Sequence, residues 1–112
     1  MIPEALRARL LANGRRTASG EGDDHYPVVK VFAPEGYATW LLTEIDPDEP
    51  DRAYGLCDPG LGFPELGYVS LSGLATFRTR HGLSLEVDRH FLARKPISEY
   101  AADARLLGRI VT

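Results

Sequence analysis

The chain has a single cysteine, Cys57, among its 112 residues. One thiol excludes an intramolecular disulfide and a thiolate-rich zinc site. An unpaired cysteine suits a reducing compartment, and a cytoplasmic location is expected. No apolar run approaches the ~20 residues that span a bilayer, so no membrane contact is expected. The N-terminal segment MIPEALRARLLANGRR lacks the long apolar stretch of a secretory signal, and none is expected there. Internal repeats and low-complexity tracts are missing too. Gly60-Leu61-Gly62 runs into Phe63-Pro64 with no Walker lysine and no full dinucleotide fingerprint, which argues against a nucleotide pocket.

What remains is the composition of a globular chain, 44% hydrophobic and 26% charged. A chain of this length is expected to form one domain, residues 1–112, large enough to bury a core without staples. The net charge of −3 hides a segregation: residues 1–20 carry +3, residues 21–72 carry −9 and residues 73–112 carry +3. An acidic middle third repels nucleic acid and attracts cations or basic protein surfaces, if it forms one face.

Pro3 to Leu11 reads as a helix, with proline at the first helical position and Ala5, Leu6 and Leu10 on one stripe. Asn13-Gly14 reads as its stop. Residues 14–24, GRRTASGEGDD, read as a mobile polar loop. Pro27–Phe32 and Tyr37–Ile45 read as strands joined by the turn Ala33-Pro34-Glu35-Gly36. Arg52–Cys57 and Gly67–Ser70 are further short strands, and the short links favour an antiparallel meander. Ser72 is expected to cap a helix from Gly73 to His81 that buries Leu74, Phe77 and His81. Leu83–Val87 reads as a last strand. Pro96 and Ser98 open a last helix, with Tyr100, Ala101, Ala104 and Leu107 inward. The expected fold is α+β: a small antiparallel sheet of four to five strands with two to three helices packed on one face.

Residues 55–71, GLCDPGLGFPELGYVSL, crowd glycines, two prolines, the lone cysteine, Asp58, Glu65 and Tyr68 into one stretch. Glycine permits positive φ and close backbone approach, and proline fixes φ. The stretch is either a shaped binding loop or an elaborate connection between strands.

Four blocks resemble a bacterial family known as domain of unknown function number 2958: DDHYPVVKVF (23–32), ATWLLTEIDPDEPD (38–51), GLCDPGLGFPELGYVSL (55–71) and DRHFLARKPISEYA (88–101). The likeness runs over nearly the full chain. Pro59 departs from it, standing where a larger apolar residue is expected. The resemblance implies a small bacterial protein of plasmids and other mobile elements, encoded near conjugation and anti-restriction functions. It implies no assigned reaction and no catalytic residues.

Several constellations invite chemistry. Cys57 and Asp58, with a histidine such as His25, could form a nucleophile and base, yet a cysteine flanked by Leu56 is more often a small buried hydrophobe. Glu65, Asp58 and Tyr68 could do acid–base work, or Glu65 could simply hold the glycine-rich backbone. Asp46, Asp48, Glu49 and Asp51 crowd the turn DPDEPD, which lacks calcium-loop spacing and its central glycine. Arg7, Arg9, Arg15 and Arg16 near one end, and Arg89, Arg94, Lys95, Arg105 and Arg109 near the other, would suit nucleic acid if they met on one face.

The leading expectation is therefore a non-enzymatic protein-interaction module with no cofactor and no metal. Its binding surface is Asp46, Asp48, Glu49, Asp51, Asp58, Glu65 and Tyr68. Its expected partner is a protein, with a DNA-handling or defence protein of the host, met in an anti-restriction role, as the candidate. The alternatives are a small hydrolase or metal-assisted enzyme centred on Cys57, Asp58, Glu65 and His25, and a nucleic-acid-binding accessory protein using the terminal arginines.

Overall fold

In the computed structural model, which describes residues 1–112, the first helix α1 spans Glu4–Arg16. It runs past Asn13-Gly14, the expected stop, because both residues are used for packing. The Asn13 side-chain amide donates to the Thr43 carbonyl at 2.9 Å. Gly14 is buried so closely on strand backbone that a Cβ there would lie 1.8 Å from the Ile45 carbonyl oxygen. Only glycine fits that approach. One wider helical turn, Thr17–Glu21, follows and breaks at Gly20, where φ is 83°. Residues 14–19, expected as loop, are therefore helical up to the break at Gly20.

Strands β1 (Val29–Phe32), β2 (Thr39–Ile45), β3 (Arg52–Asp58), β4 (Glu65–Ser70) and β5 (Glu86–Val87) form one antiparallel sheet in the order β4-β3-β2-β1-β5. The sequence forms strands here because β-branched and aromatic residues alternate between two buried faces. Val29 faces Leu42 and Val31 faces Trp40 across β1–β2, and Leu41 faces Leu56 across β2–β3. A register shift after Leu42 re-aims the end of β2, so that Glu44 lies opposite Tyr54 and Ile45 opposite Ala53. β1 stops pairing at Leu42, and α1 stands against the rest of β2 in its place.

The α+β class is as the sequence reads, but the helices divide between the two faces. On one face Leu10 of α1 and Leu74 of α2 (Leu71–Thr76) pack with Val29, Val31, Trp40, Leu42 and Ile45. On the other, α3 (Ile97–Leu107) lays Ile97, Tyr100, Ala101 and Ala104 over Leu41 and Leu56. Strands apolar on both sides need cover on both sides, and each fully buried Leu or Val stabilises the fold by ~1.5–3 kcal/mol. Leu107, expected inward, is 59% exposed, since Gly108 with φ of 73° ends the helix one residue later.

α2 is shorter and earlier than the sequence suggests. Ser70, not Ser72, caps it, its Oγ accepting from Gly73 N at 3.0 Å. Phe77 leaves the helix and sets its ring edge-on to Trp40, 6.1 Å between centroids. The chain then turns tightly, Thr79 N donating to the Leu83 carbonyl, and His81 is exposed rather than buried. The last strand is accordingly cut to two residues, Glu86 and Val87.

Candidate functional site

The turn Asp46–Asp51 joins β2 to β3, and the carboxylates of Asp46 and Asp51 are already engaged within the fold. The Asp46 Oδ1 accepts from Asp48 N at 2.9 Å, a local Asx turn that sets the loop's shape. Asp51 reaches across to β4 and α2. Its Oδ2 accepts from Ser70 Oγ at 2.7 Å and Ser72 Oγ at 3.0 Å, and its Oδ1 accepts from Ser72 N at 2.8 Å. These bonds, the Ser70 hydroxyl first, hold the Asp51 carboxyl below the usual carboxylate range. Asp51 thus stabilises the start of α2, while Asp46, Asp48 and Glu49 are left to face solvent around it.

Beside the turn lies an aromatic stack. Glu49 pairs with Arg52 at 3.7 Å, and the Arg52 guanidinium sits 3.7 Å over the Tyr68 ring. Tyr68 packs edge-to-face on Tyr54 at 5.1 Å, because β3–β4 register places the two directly opposite. Burial, then the neighbouring Tyr68, raises the Tyr54 hydroxyl pKa. Tyr68 remains 59% exposed. A groove of about 450 Å³ opens here, walled by Glu49, Pro50, Arg52, Tyr68 and Val69. Arg52 and Tyr54 are the residues the sequence reading missed. Only the cross-strand register, not spacing along the chain, identifies them.

The glycine-rich stretch proves to be a hairpin connection. Asp58 ends β3 and Glu65 opens β4, leaving residues 59–64 as the loop. Gly60 and Gly62 take φ of 92° and 84°, which other residues rarely adopt. Asp58 is only 1% exposed. Its Oδ1 accepts from Gly60 N at 2.8 Å and its Oδ2 has no partner. Leu61 and Phe63 stand out into solvent.

The proposed enzymatic set does not assemble. Cys57 and Asp58 are adjacent on a strand and point to opposite faces. Burial lifts the Cys57 thiol to about 11, leaving no thiolate at neutral pH. Glu65 lies opposite Cys57 but is exposed, and His25 is held by Thr17 Oγ1 at 3.2 Å beside the start of α3. No three His, Cys, Asp or Glu side chains converge as metal ligands. Arg7, Arg9, Arg15 and Arg16 are carried by α1, whereas Arg105 is on α3, with Arg89, Arg94 and Lys95 before it and Arg109 just beyond it; the two helices cover opposite faces of the sheet.

A second cavity, about 480 Å³, sits at the far end of the sheet between the β1–β2 turn and the turn after α2. There His81 Nδ1 lies 3.4 Å from Glu35 Oε2, and Glu35 Oε1 is buried without a partner. Tyr37 and Phe77 wall it. The two ionisable residues are 46 positions apart, and no spacing in the sequence links them.

Over residues 1–111 the chain matches the family model described as protein of unknown function (DUF2958), and it belongs to that family. No curated protein and no solved structure matches it.

Proposed function

We propose that this DUF2958 protein is a non-enzymatic interaction module that takes a basic protein partner on the surface formed by Asp46, Asp48, Glu49, Arg52 and Tyr68. The observation that carries this reading is the exposed Arg52–Tyr68–Tyr54 stack at the rim of the acidic turn. Tyrosine and arginine are enriched among the residues that dominate the energetics of protein interfaces, and here they already pack on one another. Asp58 and Glu65 belong to the far end of the same hairpin, Asp58 shaping its loop and Glu65 opening the edge strand. The segregated charge supports a basic partner and speeds its capture.

A partner that handles DNA presents such a basic surface. An acidic protein of a bacterial plasmid or other mobile element that occupies it, in the cytoplasm, would act against restriction or another defence. The test is capture from nuclease-treated bacterial lysate by tagged protein, with identification by mass spectrometry. Wild-type protein is expected to retain a stoichiometric partner. The folded variants Asp46→Lys/Asp48→Lys and Tyr68→Ala are expected to lose it. Equal capture by all three overturns the reading. Asp51 is left intact in this test, because its loss damages α2 and not only the surface charge.

A further inference from the structure

Antiparallel strands exchange bonds only at alternate residue pairs. Leu71 N donates to the Asp51 carbonyl at 2.8 Å, continuing the register that sets Arg52 opposite Ser70. The hydrogen-bonded pairs of β3–β4 are therefore Ala53–Val69, Gly55–Gly67 and Cys57–Glu65. The backbone N–H and C=O groups of Leu66 and Tyr68 point the other way. β4 is the last strand on that side, so no strand of this chain receives them.

Sheet edges are usually blunted by lysine, by proline or by brevity. β4 has none of these: six residues, ELGYVS, with Glu65 the one charge. Gly67 adds a notch, since nothing lies within 4 Å of where its side chain would be. A glycine with open space above it is a place where another chain can approach closely. Acidic side chains flank the edge, with Glu65 opening the strand and Glu49 and Asp46, from the turn that also carries Asp48, lining the grooves beside Tyr68. The one cation there, Arg52, is spent on Glu49 and Tyr68.

We propose that β4 accepts an extended, basic segment of a partner protein as a sixth strand, bonded to the backbone of Leu66 and Tyr68. The proposal rests on the interaction-module reading and specifies how the partner is held. Main-chain bonds supply the affinity of such strand addition, and the acidic rim selects the charge.

The probe is an eight-residue peptide alternating valine with lysine or arginine, beside an analogue with glutamate for each basic residue. Two further versions carry N-methyl groups on one or the other alternate set of backbone amides. Amide spectra of ¹⁵N-labelled protein at low salt report binding. The basic peptide is expected to bind saturably and to slow exchange of the Leu66 and Tyr68 amides, and the acidic analogue to leave them unchanged. One methylation pattern should weaken binding about tenfold or more, ~1.4 kcal/mol, and the other should spare it. No saturable binding by the basic peptide overturns the proposal. Binding indifferent to both methylation patterns also overturns strand addition. If Asp46→Lys/Asp48→Lys still weakens that binding, the acidic surface survives, and if it does not, both readings fail. Protected Leu66 and Tyr68 amides in protein alone, with a dimer in sedimentation, would assign the edge to a second copy and overturn the foreign strand.

Discussion

Gly55 and Gly67 face each other across the β3–β4 ladder, yet they occupy opposite worlds. A Cβ on Gly55 would lie 1.9 Å from the Leu41 carbonyl oxygen, whereas one on Gly67 would meet nothing within 4 Å. The same contrast holds along both strands. β3 is hemmed in by β2, β4 and α3, and its side chains include the buried Ala53, Leu56 and Asp58. β4 has a neighbour on one side only and keeps Glu65, Tyr68 and Ser70 exposed. The inner strand is fixed on every side by the fold, and the edge strand is constrained on one side only.

The sharpest way to break that comparison is Gly55→Ala. Overpacking against a fixed carbonyl should cost ~3 kcal/mol, at the upper end of such substitutions, read as a lower denaturation midpoint at unchanged slope. A midpoint within error of wild type would mean that β3 is not the crowded strand described here.

Asp51→Asn comes next. It weakens the clip that ties the start of β3 to the end of β4, and Tm at neutral pH should fall by several degrees. The folded-state pKa of Asp51 is lowered from 3.8, so its stabilisation is complete above that value and is lost as pH falls below it. The Tm gap between wild type and variant should therefore narrow as pH drops below 3.8. A gap that widens in acid would contradict the bonds to Ser70 and Ser72.

Cys57 gives a smaller effect at the other end of the pH scale. Folding raises its thiol from 9.0 to about 11, so stability declines as pH rises through that window, where the unfolded chain has already lost the proton. Cys57→Ala should flatten part of this alkaline loss. The remainder belongs in part to Tyr54, which is raised in the same sense. In wild-type protein the thiol should react slowly with an aromatic disulfide at pH 8 until denaturant is added. The smallest effect is expected at Gly67→Ala, within ~0.5 kcal/mol of wild type, because an open edge position has room for the methyl group. A large loss there would remove the difference between the strands.

Much of the sheet was legible because short runs rich in Val, Phe, Trp, Leu and Ile over 29–32 and 39–45 are bounded by turn residues, a local signal. What failed was decided by distant partners. Asn13-Gly14 has the composition of a helix stop, but Thr43 and Ile45 recruit it for packing. Ser70 and Ser72 are both competent caps, and Asp51, some twenty residues upstream, favours the earlier one. His81 and Leu107 sit at buried-looking positions of helices that end before or just beyond them. The acidic turn of the candidate site was visible in composition alone. Its internal wiring was not, nor was the Tyr54–Tyr68 pairing, because both depend on register between strands.

The place of α1 against the end of β2 also sets a count. An open-ended filament requires each subunit to offer two complementary faces. At the far side of this sheet β5 has only two residues, and beyond the end of β1 the helix backbone itself occupies the space beside Thr43 and Ile45. One long edge faces outward and its opposite is plugged. If a strand does add at β4, this geometry lets it do so once, and the assembly would end there.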